Sequence, residues 1–374
     1  MRHSTANSRP CRKFEPGSWL IYGVAVNRPL RVGLAFLESL KRISSLMANG
    51  IAISVQSGDV LRTKCDVLAL KYAQALHGVD DEAVSILEGA GIFVQPLLPK
   101  ENGFRLVPTN GAMAADHILF VGVSDLRRFD YAGIRAFAER TLSALAATLS
   151  STKRLTMTVH GVGYGLDESE SFRAELAGLL DALESGHYPA ALENVVIIER
   201  NPARADRLSS LLEAILPSGV GGRRDVEPVA SSRAKVSLAD VGEGSRTKRH
   251  IFAAMPFAKE FEDRFHYGIQ RAAEAAGFLC ERADLTSFVG DVLDWVRERI
   301  TTASFVVADL TSANPNVYLE VGYAWGCKVP TVLLVSETTD LKFDVRGQRC
   351  LVYNGSIRQL EESLTKELRA LGPK

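Results

Sequence analysis

From Ile51 the chain alternates between two hydrophobic periods. "IAISVQ" alternates apolar and polar positions at the period of a strand, and "DVLALKY" follows as a second apolar run. "DEAVSILEGAG" carries the spacing of a short helix that stops at glycine. "HILFVGV" reads as a buried strand and "YAGIRAFAERTLSALAATL" as a long helix. "RLTMTVHG", "ESFRAELAGLLDALES", "NVVIIE" and "ARADRLSSLLEAIL" then predict strand, helix, strand, helix. Strands alternating with helices predict an α/β fold whose sheet is covered on both faces.

The pattern breaks over residues 218–249. "SGVGGRRDVEPVASSRAKVSLADVGEGSRTKR" holds no sustained apolar period and reads as a linker, a solvated tether between domains. A second cycle starts at His250. "IFAAMPF" is a strand, "FEDRFHYGIQRAAEAAG" a helix stopped by Gly277, and "FLCERAD" a short strand. "VGDVLDWVRERITTA" is a helix, "SFVVADL" a strand and "NPNVYLEVGYAWG" a helix. "PTVLLVS" and "RCLVY" are strands, and "SIRQLEESLTKELRAL" closes the chain as a helix. This cycle suits a flavodoxin-like parallel sheet. Four parts are expected: residues 1–46 as a poorly ordered extension, a domain over 47–217, the linker over 218–249, and a domain over 250–374. Glu15 and Pro16 precede the short apolar run "WLIYGVAV", which argues against a secretory leader.

Composition changes this picture little. Over 374 residues, Lys+Arg and Asp+Glu are both 44, so net charge lends no support to nucleic-acid or membrane partners. Cys11, Cys65, Cys280, Cys327 and Cys350 are scattered, without the close spacing of a zinc or redox site. They are read as reduced thiols in a cytoplasmic protein, with no metal expected. No apolar run nears the roughly 20 residues that cross a bilayer.

Candidate chemistry concentrates in the second domain. Ligands of open α/β sheets bind beyond the carboxyl ends of the strands. Met255, Pro256 and Phe257 stand there, with Arg282, Asp284 and Asp309, and Asn314, Asn316 and Glu320 follow on the next helix. Asn314 is a natural N-cap before Pro315, and Asn316 and Glu320 share a face at i,i+4. Val317, Val321 and Ala324 form the stripe expected to face the sheet, with Glu320 beside it. A carboxylate there is costly unless paired, and Arg282 or Arg346 is the expected structural partner. The functional alternative is a carboxylate beneath a sugar, stabilising the charge that builds on the anomeric carbon as an N-glycosidic bond breaks. Trp325 is expected to pack in the core rather than stack on a base.

The segments "MPF", "ERAD", "VVADLTSANPNVYLEVGYAWG" and "KFDVRGQRCLVY", in this order, resemble the TIR-like group related to nucleoside 2-deoxyribosyltransferases. The resemblance covers about a third of the chain. It implies that Glu320 is the nucleophile or charge stabiliser, with Asp309 and Asn316 beside it. Substrate contacts are implied for Met255, Phe257, Arg282, Asp284 and Asn314, and for a closing loop of Phe343, Asp344 and Arg346. The transferases carry an aspartate where this chain has Asn314. That difference weakens transferase chemistry relative to hydrolysis.

In the first domain, "TVHGVGYGLDESESF" places Gly161, Gly163 and Gly165 between a strand and a helix. Such a loop lets backbone N–H groups approach a phosphate, although glycines also serve tight turns. The loop resembles the diphosphate loop of macro domains, and "VQSGDVLRTKCDVLAL" resembles the opening of that fold. Asp59 would then contact adenine and His160 a phosphate, and no second catalytic group is apparent near His160. "HILFVGVSDLRRFDYAGIRAFAERTLSAL" resembles the related N-terminal domain of leucine aminopeptidases. The resemblances imply a macro-like three-layer α/β/α domain that senses a nucleotide-derived signal. They also imply a TIR-like domain that cleaves NAD or a related nucleotide as substrate, without a cofactor, and forms a homo-oligomer on activation. Bacterial antiphage proteins use this sensor-plus-effector design. The alternatives are a non-catalytic nucleotide-binding regulator and a nucleoside deoxyribosyltransferase.

Overall fold

A computed structural model describes residues 50–162, 165–216, 238–283, 292–337, 345 and 348–372. The expected N-terminal extension lies outside them. The first sheet contains β1 (Ala52–Ser57), β2 (Cys65–Tyr72), β3 (Phe104–Pro108), β4 (Ala115–Gly122), β5 (Arg154–Thr158) and β6 (Asn194–Glu199). Its order is β1-β6-β5-β2-β4-β3, parallel except for β3. Along β2, Val67 and Ala69 enter one core while Leu68 and Leu70 enter another. Burial on both faces is why this strand reads as a continuous apolar run. Helix α1 (Val79–Gly89) covers one face. Helices α2 (Tyr131–Thr148), α3 (Glu168–Glu184) and α4 (Pro202–Ile215) cover the other. The result is a three-layer α/β/α arrangement. The pattern did not announce β3, an antiparallel edge strand whose "FRLVP" alternates weakly, with only Val107 buried.

The second sheet is wholly parallel. It contains β7 (His250–Ala254), β8 (Leu279–Glu281), β9 (Phe305–Asp309), β10 (Thr331–Val335) and β11 (Cys350–Val352), in the order β11-β10-β9-β7-β8. The first strand of the unit thus lies between its second and third, as in a flavodoxin-like sheet. The expected helix after β7 is not one regular helix. It opens as a single turn at Lys259–Phe261, runs as a π-helix over Arg264–Gln270, and continues as α5 (Arg271–Ala275). That segment and α8 (Ile357–Leu371) cover one face. The opposite face carries α6 (Val292–Thr302) and α7 (Pro315–Gly326).

The tether reading is corrected over residues 238–249. Leu238 and Val241 are buried in the first domain's core. Arg135 Nη1 donates to the carbonyls of Ala239 and Val241 at 2.8 and 2.6 Å, and Nε binds Asp181. Only two apolar side chains are needed here because one arginine satisfies the backbone. So sparse a pattern escapes a periodicity reading.

Candidate functional site

The chain leaves β7 toward one face of the second sheet and leaves β9 toward the other. In open α/β sheets the crevice that takes a ligand lies at such a switch point, beyond the carboxyl ends of the two strands. Met255 is buried at its base and Phe257 is half-buried. Asp309 ends β9, fully buried. Its Oδ1 accepts from the Thr311 N–H at 3.0 Å and its Oδ2 from the Tyr353 hydroxyl at 3.2 Å. The Thr311 hydroxyl lies 3.0 Å from Tyr353 Oη and accepts from the Ser336 N–H at 2.9 Å. Burial pushes the Asp309 carboxyl above its ordinary range, while Thr311, Arg264 and Tyr353 act in the opposite direction. Both Asp309 oxygens are therefore engaged in tying the strand ends together. Tyr353 was not foreseen, because a tyrosine just past a short strand carries no pattern of its own.

Glu320 stands differently. Asn314 Oδ1 accepts from the Asn316 N–H at 2.9 Å and Pro315 occupies the first turn, so α7 starts as its sequence requires. Val317, Val321 and Ala324 are buried against the sheet. Glu320 flanks that stripe half-buried, and among the described residues it makes no hydrogen bond or ion pair. Burial alone pushes its carboxyl up to about 7. Arg282 does not neutralise it. That side chain pairs with Glu262 at 2.9 Å and lies 4.0 Å over the Phe265 ring. Asn316 is exposed at the head of the helix. Asp284, Phe343, Asp344 and Arg346 lie outside the described residues. Trp325 does not pack in the core as expected. It is 40% exposed.

In the first domain, packing accounts for two of the three loop glycines. Gly161 has φ +86° and Gly165 φ +87°. A Cβ on Gly161 would lie 2.8 Å from Ile134 Cδ1, and one on Gly165 would overlap the Trp295 indole of the second domain. Gly163 lies outside the described residues. The reading of His160 needs correction. Its ring is buried with its centre 4.3 Å from that of Phe137, and Glu175 Oε2 accepts from the His160 backbone N–H at 3.1 Å and lies 3.4 Å from Nδ1. A carboxylate partner is therefore present, one that helical spacing on α3 placed among apolar neighbours. Lys71, at the end of β2, is buried 3.7 Å from Asp80 on α1. Burial lowers the lysine and raises the aspartate. Asp59 caps the turn Val60–Arg62 through the Leu61 N–H at 3.1 Å and pairs with Arg200 at 3.5 Å. It borders an open groove of about 460 Å³ with Leu61, Glu82, Ile86 and Met113, and none of the described residues of 160–165 lines that groove.

The two domains meet at the start of α3. Asp167 caps that helix through the Glu170 N–H, and its other oxygen accepts from the Cys280 N–H at 2.9 Å. The Tyr131 hydroxyl accepts from the Asp167 N–H at 2.9 Å and donates to Glu281 Oε1 at 3.0 Å. Glu281 also accepts from Arg299, and Arg207 bridges Glu168 and His266. Burial pushes Asp167 up to about 7.

No protein-family model matches the chain, and no curated protein does. Solved structures with similar folds include a Trypanosoma brucei macrodomain in complex with ADP. It is 14% identical over 43% of this chain and 68% of that one, with a TM-score of 0.36. An Oceanobacillus iheyensis macrodomain with MES bound is 12% identical over 45% and 94%, also at 0.36. The macro domain of ganglioside induced differentiation associated protein 2 is 16% identical over 48% and 89%, again at 0.36. Among the described residues, no helix is long and apolar enough to cross a membrane, and no group of His, Cys, Asp or Glu is arranged to hold a metal.

Proposed function

We propose that the protein is a nucleotide-responsive hydrolase. Its second domain cleaves the N-glycosidic bond of NAD or a related nucleotide, and its first domain takes a nucleotide-derived ligand. The observation that carries this reading is Glu320, a half-buried carboxylate without a neutralising partner among the described residues. When the bond from base to C1′ breaks, the electron pair leaves with the base and positive charge develops on the sugar. Water then adds to C1′ and loses a proton. A carboxylate with no cation beside it directs its full field at that charge. An arginine partner would cancel much of the effect.

A transfer reaction with two catalytic carboxylates has less support. Asn314 stands where the transferases carry an aspartate, and its amide oxygen caps α7. Asp309 has both oxygens engaged. Water is thus the simplest acceptor. A part in antiphage defence belongs to the same proposal, through the resemblance to sensor-plus-effector proteins.

The test is base release from NAD and a nucleotide panel, followed by chromatography with and without cyclic-nucleotide or ADP-ribose additives. Wild type should release base, and Glu320→Gln should be slower by on the order of 10²-fold or more. Equal rates for the two proteins would remove the catalytic assignment. Ligand binding without turnover would favour the regulator reading.

A further inference from the structure

We propose that Arg264 receives the phosphate of the substrate, so that the crevice selects phosphorylated nucleosides over free nucleosides. This rests on reading the crevice as a nucleotide-cleaving site. The crevice has two walls because the chain diverges after β7 and β9. Helix α7 with Glu320 forms one, and the helical segment that follows β7 forms the other. Arg264 is the first residue of the π-helical stretch in that second wall. Single π-helical turns are rare and concentrate at functional sites.

The guanidinium is held but not answered. It lies 4.7 Å from the Phe261 ring centre and 5.9 Å from that of Tyr353, whose hydroxyl binds Asp309. Among the described residues its buried Nη1 has no hydrogen-bond partner. Among the described residues no carboxylate pairs with it: Asp309 is held by Thr311 and Tyr353, and Glu262 by Arg282 and His266. Arg282 also has an unfilled Nη1, but its charge is met by Glu262. A buried charged donor without an acceptor is costly, and it persists where a ligand completes it. The planar guanidinium matches a phosphate, with two parallel N–H groups for two oxygens. Asp309 feels the charge of Arg264, whereas Glu320 is moved by burial alone. Through Tyr353 the cation stands beside Asp309 at the carboxyl end of β9, and Glu320 lies one turn into the helix that follows. A nucleotide presents a phosphate for the one and an anomeric carbon for the other.

The experiment compares each ribonucleoside monophosphate with its nucleoside, using the full chain. In Arg264→Gln the ratio of kcat/KM for nucleotide over nucleoside should fall about 10- to 100-fold, through loss on the nucleotide only. Arg264→Lys should keep part of the preference. A purely structural role would lower both substrates equally, and an unchanged ratio would overturn the proposal. Thermal shift in the Glu320→Gln background provides a readout independent of turnover. Adenosine monophosphate should raise Tm where adenosine does not, and Arg264→Gln should abolish that difference. If wild type releases no base yet shows this Arg264-dependent shift, the hydrolase reading fails and the phosphate site stands. If no phosphate-bearing ligand shifts Tm in the parent protein, the phosphate site is wrong.

Discussion

At the scale of single residues, Glu320 makes opposite demands on stability and on chemistry. Its folded pKa of about 7 lies above the ordinary 4.5. Below pH 4.5 the group is neutral in both states and costs nothing. Between pH 4.5 and 7 the unfolded chain ionises while the folded carboxyl stays protonated, so stability falls across that window by about 1–3 kcal/mol after allowance for solvent screening and levels off above 7. Glu320→Gln should therefore be more stable than wild type at pH 8 and equal to it at pH 4, measured by denaturant titration. A hidden ion pair would reverse this result, making the variant less stable at pH 8. Base release by wild type should fall about tenfold per unit below pH 7 and level off above it, since the ionised form is the active one.

At the scale of elements, α7 shows how a helix start and a site can share residues. Asn314 closes the first turn, and loss of such a cap costs about 1 kcal/mol. Asn314→Ala should lower Tm by a few degrees, whereas Asn314→Ser, which keeps an acceptor oxygen, should not. If Asn314 only caps, base release at a temperature where both variants are folded should match wild type. A drop with Asn314→Ser would instead mark a direct substrate contact. Local rules made this helix legible in the sequence: an amide before proline, then the stripe of Val317, Val321 and Ala324. The same rules misread the segment after β7, where a single apolar period conceals a change from π-helical to α-helical winding.

At the scale of the whole molecule, the glycine loop connects the domains. Trp295 of α6 packs on Gly165, and the Tyr131 hydroxyl joins Asp167 to Glu281 across the boundary. A ligand that moves the loop must move α6, which packs against α7. Wild type should unfold in one calorimetric transition. Trp295→Ala combined with Tyr131→Phe should separate the domains into two, because the Asp167 N–H and Glu281 Oε1 lose their shared partner. A single transition in the double variant would show that the domains are held together elsewhere.

The sequence by itself determined what depends on neighbours along the chain. Strand and helix periods, the caps of α7, the buried stripe and the flanking Glu320 all follow from spacings of a few residues. The tertiary structure alone decided which charged and polar groups meet. Tyr353 reaches Asp309 across 44 positions, Asp167 reaches Cys280 across 113, and Tyr131 reaches Glu281 across 150. Arg282 was expected to neutralise Glu320 and pairs instead with Glu262, while His160 has a carboxylate partner that no short spacing announced. Periodicity records which face of an element is covered, because burial follows the repeat of the backbone. It carries no information on which distant element does the covering. Whether a buried carboxylate is paired or bare therefore emerges only when the sheets have closed.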